Sequence, residues 1–304
     1  MRRTVLACAL ALAATGTATG VAVTQWPRWT AMGPQQARNA QPAAREQAVP
    51  PAPPPGGPRR FDRTTLTRVV KSYLAGRPGR AGVMVSDLST DTSFGYGEHG
   101  RFVTASIMKV DILASLLLQR QREKRGLSAG ERAIAAEMIR LSDNRAAQTL
   151  YSAAGNGAGV ARSNKRLGLR ETTPYPGVWG ASKTTPADQV RLMNALVSPR
   201  SPLSAANRRH VLDLMGSVDG EQRWGISAAA RPGERVAIKN GWVPLRLQGT
   251  GWAVNSVGRI TARGHDFLVA VCTQGHPSME SGVETVEHVA DLAVSALRRV
   301  APAD

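Results

Sequence analysis

Phe102-Val-Thr-Ala-Ser106-Ile-Met-Lys109-Val-Asp-Ile-Leu113 is the stretch on which the reading of this chain turns. Ser106 and Lys109 stand three apart at the head of an apolar run that continues through Leu116, Leu117 and Leu118. On a helix that spacing puts both side chains on one face, one turn apart, while Ile107, Val110 and Leu113 face a core. A serine hydroxyl is a poor nucleophile until an adjacent base takes its proton. A lysine serves as that base only when burial or a neighbouring cation destabilises its ammonium form. Alone, the pair also reads as an ordinary N-terminal serine and a solvated lysine, since S-x-x-K arises by chance about once in a chain of this length.

Two further strings change the balance. Ser142-Asp143-Asn144 lies between the helical patterns Ala133 to Arg140 and Arg145 to Tyr151, where each of its residues also suits a helix cap. Lys239-Asn240-Gly241 ends a β-like segment, Val236-Ala-Ile238. Together the three supply a nucleophile, an amine base, a hydroxyl able to relay a proton, an amide clamp and a second cation, which is the inventory of a serine acyl-transfer site.

Their order resembles the S-x-x-K, S-D-N and K-T-G set of class A β-lactamases and penicillin-binding proteins. Phe102 to Ala105 before the nucleophile, the Leu-rich helix after it and Ile139-Arg-Leu-Ser-Asp-Asn-Arg-Ala-Ala147 carry the likeness further, over residues 61–304. The resemblance implies an α/β fold, an antiparallel five-stranded sheet covered by the N- and C-terminal helices with an inserted all-helical lobe. It implies that Ser106 is acylated by β-lactams or related amides and that Lys109 is its base. Ser142 would relay a proton between Lys239 and the leaving nitrogen, and Asn144 would bond Lys109 and the substrate's side-chain amide. Asp143, pointing away, would brace the loop. Lys239 would attract the substrate carboxylate, Gly241 would let substrate lie along the strand edge, and the amides of Trp242 and Ser106 would form the oxyanion hole. Asn240 stands where Thr or Ser is usual, so a carboxamide replaces the hydroxyl expected to bind that carboxylate.

The second departure is an absence. Class A enzymes carry a glutamate, with an asparagine four residues later, that activates the deacylating water. Here the corresponding stretch, Leu167 to Pro186, is short, and its only carboxylate before the helix that follows, Glu171, comes early and lacks the asparagine. Unless a repositioned Glu171 serves, the site is expected to acylate readily and deacylate slowly. The motifs also suit a D,D-peptidase-like enzyme on peptidoglycan stem peptides, whereas a non-catalytic wall-binding descendant should have lost Lys109 or Asn144. A second K-T string, Lys183-Thr184-Thr185, lacks the glycine and is rejected as the third motif.

The flanking chain bounds where such chemistry operates. Met1-Arg2-Arg3 and the apolar run to Val23 read as a signal peptide or an uncleaved signal anchor (1–23). Val5-Leu-Ala-Cys8 looks faintly like a lipoprotein box. Residues 24–60 read as a disordered Pro/Ala-rich linker, too poor in apolar residues for a core to be expected. The rest is therefore expected outside the cytoplasmic membrane, as one domain (61–304) and a monomer. The net charge of +17 comes from scattered arginines, without the basic, aromatic-interleaved runs of nucleic-acid binders. A loose affinity for anionic wall or membrane surfaces is its expected by-product. Five histidines, none spaced as ligands, argue against a metal, and no cofactor is implied. Cys272 sits in an apolar strand, Phe267 to Thr273, as a small hydrophobe without a disulfide partner. Trp252, in the strand pattern 251–257, reads as core, and His276-Pro277-Ser278 as a turn near the cleft rim.

Overall fold

Asp62 starts the first helix by accepting a hydrogen bond from Thr65 N at 2.9 Å, and α1 (Arg63–Ala75) buries Leu66 and Val70 on the face its periodicity marks out. The computed structural model describes residues 61–246 and 248–301; the signal-like run, the tether and Cys8 lie outside them. After a turn at Gly79 come β1 (Arg80–Asp87) and β2 (Thr92–Tyr96), an antiparallel hairpin pairing Val85 with Phe94. Five helices, α3 (Ala129–Arg140), α4 (Asn144–Ala153), α5 (Asn156–Leu167), α6 (Pro186–Val197) and α7 (Ala205–Gly216), follow α2 (Met108–Arg122). The chain then returns to the sheet as β5 (Arg235–Pro244), β6 (Trp252–Ala262) and β7 (His265–His276) and closes with α8 (Met279–Leu297).

The sheet runs β2-β1-β7-β6-β5 with every neighbour antiparallel. Its central strands lack alternation because both faces are covered: seven consecutive residues of β7, Phe267 to Thr273, are buried. On one face Val83, Val85, Val254 and Val271 meet Leu66 and Val70 of α1 and Val286, Val289 and Leu297 of α8. On the other, Val257, Leu268 and Ala270 join the lobe's core of Leu113, Leu116, Met138 and Leu150. Cys272 belongs to this second layer as a free, buried thiol whose ionisation burial pushes well up, so it packs rather than reacts. The turn after β7 leaves Ser278 to cap α8, with His276 itself buried.

One element was not anticipated. β3 (Phe102–Val103) pairs with β4 (Lys183–Thr184), a two-strand clip that joins the approach to Ser106 to the end of the short loop. Lys183-Thr184 of the rejected string thus forms a short strand, with Lys183 pointing to solvent and Thr184 buried against Gln189 and Thr172.

Candidate active site

The turn that carries Ser106 is held from three sides. Thr104 N bonds Ser182 O at 2.9 Å, while Asn255 Nδ2, from the middle of β6, donates to Val103 O at 2.8 Å and Thr104 O at 3.1 Å. Ala105 then takes a left-handed φ of 46°, which an L-residue adopts only where its surroundings insist. Ser106 follows in a 3-10 turn, Ala105–Ile107, so the α-helix proper begins at Met108 and puts Lys109 in its first turn. Asn255 was not singled out from the sequence. Its signal was there, an amide in the middle of an apolar strand, where a buried polar group needs partners.

Lys109 is fully buried, and its ammonium meets three acceptors: Ser142 O at 2.6 Å, Ser142 Oγ at 3.0 Å and Asn144 Oδ1 at 2.8 Å. Lys239, 1 % exposed, reaches the same hydroxyl from β5, with Nζ 3.0 Å from Ser142 Oγ and 3.1 Å from Asn240 O. Ser142 is presented between them by a left-handed φ of 58°, and Asp143 fixes that turn by capping α4 through Ala146 N at 2.7 Å. Burial, then the charge of Lys239, holds Lys109 well below the usual lysine range, with Asp143 opposing; burial alone brings Lys239 to about 7. Burial and the neighbouring charge thus both make Lys109 readier to give up its proton, while Lys239, brought to about 7, is still partly charged near neutrality. A hydroxyl between them can accept from one and donate to the other, which is what a relay requires.

Gly241 lines the opposite wall. A Cβ built there would lie 2.6 Å from both Ser106 N and Ile107 N, so the β5 edge passes directly over the start of the nucleophile helix. Residues 106–109, 142–144 and 239–241, apart in sequence, thus meet where the sheet edge faces the lobe.

Residues 64–132 and 118–297 match the model of the Beta-lactamase enzyme family, called Beta-lactamase2. This chain belongs to that family. Curated relatives from Mycobacterium tuberculosis and Mycobacterium bovis, both named as a lipoprotein, LppW, are 30% identical over 203 residues. That alignment covers 64% of this chain and 64% of theirs, so the chain spans under two thirds of the length of the relatives it matches. Among solved structures, PBP-A superposes with a TM-score of 0.68 at 19% identity over 78% of this chain and 97% of its own. A variant of PBP-A is described as an acyl-enzyme complex with penicillin G. The TLA-1 extended spectrum β-lactamase gives 0.69 at 17% identity, covering 77% and 99%. A class A β-lactamase from Bacteroides cellulosilyticus gives 0.68 at 15%, covering 79% and 99%. At such identities the likeness establishes the β-lactamase and penicillin-binding protein fold.

Within that family frame, one expected binding side chain turns elsewhere. Asn240 has no exposed surface, and its Nδ2 donates to Gln222 O at 2.7 Å and Trp224 O at 2.9 Å. Strand alternation explains this: Lys239 and Gly241 face the lobe, so Asn240 faces the other way. The expectation that its carboxamide contacts substrate is corrected; it ties the 222–225 segment to β5. Trp242 likewise packs its indole edge-on to Trp224, centroids 5.7 Å apart, which leaves only its backbone for the cleft. Trp252 is partly buried against the same layer.

Glu171 is equally engaged. One carboxylate oxygen lies 2.9 Å from His99 Nδ1; the other accepts from Thr185 Oγ1 at 2.9 Å and Arg191 at 3.2 Å. Burial alone would raise its pKa, but these bonds outweigh it and hold the carboxyl below its ordinary value. Its neighbour Asp188 accepts from Arg170 N, Glu171 N and Thr172 Oγ1, so the loop's first residues are clamped to α6. Glu171 acts as part of that clamp.

Two further groups escaped the sequence reading. The Trp179 ring lies over Lys109, with Nζ 4.8 Å from its centroid. The only earlier sign was an aromatic residue between glycines, Gly177-Val-Trp179-Gly180. Asp111, also on α2, is wholly buried, bonded to Asn164 Nδ2 at 3.0 Å and Ser115 Oγ at 3.3 Å, and burial raises its pKa from 3.8 to about 7. A folded-state pKa above the unfolded one contributes stability at low pH that is lost as pH rises from about 4 through 7. Asp111→Asn, which keeps one of the two acceptor oxygens but cannot ionise, should therefore gain on the wild type by up to roughly 1.4 kcal/mol per pH unit as pH rises across that window. Urea midpoints of the two proteins at pH 4.5, 5.5 and 6.5 measure it, and parallel curves would contradict the assignment.

Proposed function

We propose that this member of the family is an exported serine hydrolase whose Ser106 is acylated by β-lactams or related amides and released slowly. The observation that carries the reading is the placement of two buried amines, Lys109 and Lys239, on the one hydroxyl of Ser142. In this mechanism neutral Lys109 takes the Ser106 proton as Oγ attacks the carbonyl carbon. The amides of Ser106 and Trp242 hold the oxyanion, and Ser142 passes a proton from Lys239 to the departing nitrogen. Asn144, already on Lys109, orients the amine and the substrate's side-chain amide. Gly241 leaves the strand edge open, and Lys239 draws the carboxylate. Slow release rests on the engaged state of Glu171, which leaves the short loop without a free carboxylate.

A second substrate class, peptidoglycan stem peptides, is favoured by that same loop and by the likeness to PBP-A. Location outside the cytoplasmic membrane is supported by the name of the mycobacterial relatives, which are called lipoproteins. Wall association and a monomeric state belong to the proposal as well.

Mass spectrometry after incubation with penicillin G tests the central step. The expected result is a stable adduct of one intact penicillin, mapped to the peptide bearing Ser106 and absent from Ser106→Ala. Adduct on both proteins, or on neither, would sink the acyl-enzyme reading. A D-alanyl-D-alanine peptide then separates the substrate classes by release of free D-alanine.

A further inference from the structure

The loop that lacks a free carboxylate puts an indole against the catalytic amine instead. Trp179 begins a 3-10 turn, Trp179–Ala181, whose ends are fastened on all sides. Thr104 N bonds Ser182 O at 2.9 Å, Tyr175 N bonds Ser182 Oγ at 2.9 Å, and Thr173 pairs with Lys183 through reciprocal backbone bonds of 2.7 and 3.0 Å. Tyr151 Oη, from α4, donates to Tyr175 O at 2.6 Å, and a Cβ built on Gly180 would lie 4.0 Å from the Ala105 Cα. A turn held this way does not swing aside as a lid. Trp179 is itself half-buried against the lobe core.

Consider what reaches Lys109. Its three hydrogen-bonding directions go to Ser142 O, Ser142 Oγ and Asn144 Oδ1, and the indole covers a further face. Lys109 has no exposed surface at all. Release of an acyl group from Ser106 needs a water oxygen to bond the ester carbonyl carbon while the carbon–Oγ bond breaks. The water's proton must pass through a base to the departing Ser106 oxygen. With Glu171 tied to His99, Thr185 and Arg191, the base falls to the buried amines around Ser142, and the ring covers a face of Lys109.

We infer that Trp179 is the residue that makes the acyl-enzyme long-lived, by excluding water from Lys109 after acylation. It is a positioning residue: it touches the base and no reacting atom. The inference rests on the acyl-enzyme reading above and names the cause of its slow second half. The ring also has a part in the first half, because its bulk helps keep Lys109 unsolvated. Its π face favours the ammonium, but burial is the larger influence on this amine, so opening the site should raise the pH at which Lys109 becomes neutral.

Trp179→Ala and Trp179→Phe test this, with adduct formation and decay followed by mass spectrometry and acylation rates taken from pH 5 to 9. Trp179→Ala should lose its penicillin adduct at least about tenfold faster than wild type, while its acylation profile moves to higher pH. Trp179→Phe, which restores a ring, should keep a lifetime within about threefold of wild type. A purely structural role would slow or weaken both halves together; here the halves move in opposite senses. An adduct lifetime in Trp179→Ala within twofold of wild type overturns the inference. Should wild type take no adduct, the acyl-enzyme reading fails first, and reductive methylation with formaldehyde, mapped by peptide mass spectrometry, decides the rest. Trp179 shields the amine if Lys109 is spared in wild type and marked in Trp179→Ala; equal marking overturns the shielding too.

Discussion

Lys109→Met should lower the rate of covalent labelling by a fluorescent penicillin about 10²- to 10⁴-fold, the range a positioned general base contributes. Methionine nearly matches the volume and flexibility of the lysine stem, so the pocket between α2 and α4 stays filled. The change strands two acceptors, Ser142 O and Asn144 Oδ1, at about 1 kcal/mol each. Against this, it removes the need to hold an amine out of water, and the two effects offset. Folding should thus survive while chemistry does not. The pH dependence carries a second signature. In wild type, acylation should climb as Lys109 loses its proton and decline above about pH 7 as Lys239 loses its charge. The descending limb belongs to Lys239, so Lys239→Met should flatten it and, by removing a charge that helps lower the pKa of Lys109, move the ascending limb to higher pH. Stopped-flow labelling across pH measures both limbs. Labelling of Lys109→Met at a wild-type rate would remove this lysine as the base and leave Ser142 and Lys239 to account for the chemistry.

What could be read from the chain alone follows a physical line. The three motifs were legible because each is local: spacing of three on α2, a Ser-Asp-Asn cap before α4, a glycine at the end of an apolar β segment. The sheet and its covering helices were legible from apolar periodicity, and their order agreed with the motif order. The terms that lie across the fold were not legible. Whether Asn240 faces substrate or the 222–225 segment depends on which face β5 turns to the lobe, and no local pattern states that for a strand buried on both sides. The part of Trp179 depends on a loop folding back over a residue some seventy positions earlier, fastened by backbone bonds to distant segments and by Ser182 Oγ and Tyr151 Oη, whose partners are backbone atoms that no side-chain pattern announces. The engagement of Glu171 by three partners on other segments, His99, Thr185 and Arg191, is equally invisible in the loop's own sequence. Asp111 and Asn255 show the converse. Each is a polar residue inside an apolar run, and that local oddity already called for a buried partner.

Gly241→Ala should be the most damaging single-methyl change near the site. The added carbon would stand 2.6 Å from Ser106 N, 2.6 Å from Ile107 N and 3.0 Å from Thr104 O. All three are backbone atoms of the nucleophile turn, and none can swing away as a side-chain tip would. That turn is itself pinned by Asn255 and by Ser182 O, so relief must come from β5 moving outward. Overpacking of this kind destabilises by about 1–3 kcal/mol. Any outward shift of β5 carries Lys239 away from Ser142 Oγ and the Trp242 amide away from the Ser106 amide. Loss of one oxyanion donor alone lowers turnover about 10²- to 10³-fold, so labelling by penicillin should become undetectable while much of the fold persists. Gly130→Ala is the control. Gly130 lies inside α3, where a new Cβ meets nothing closer than Ser128 Oγ at 3.9 Å, and alanine there should stabilise by roughly 0.5–1 kcal/mol with labelling unchanged. Urea denaturation and labelling on the pair separate the two effects. Normal labelling of Gly241→Ala would mean that the strand edge and the nucleophile turn are not in the contact that brings the third motif to Ser106.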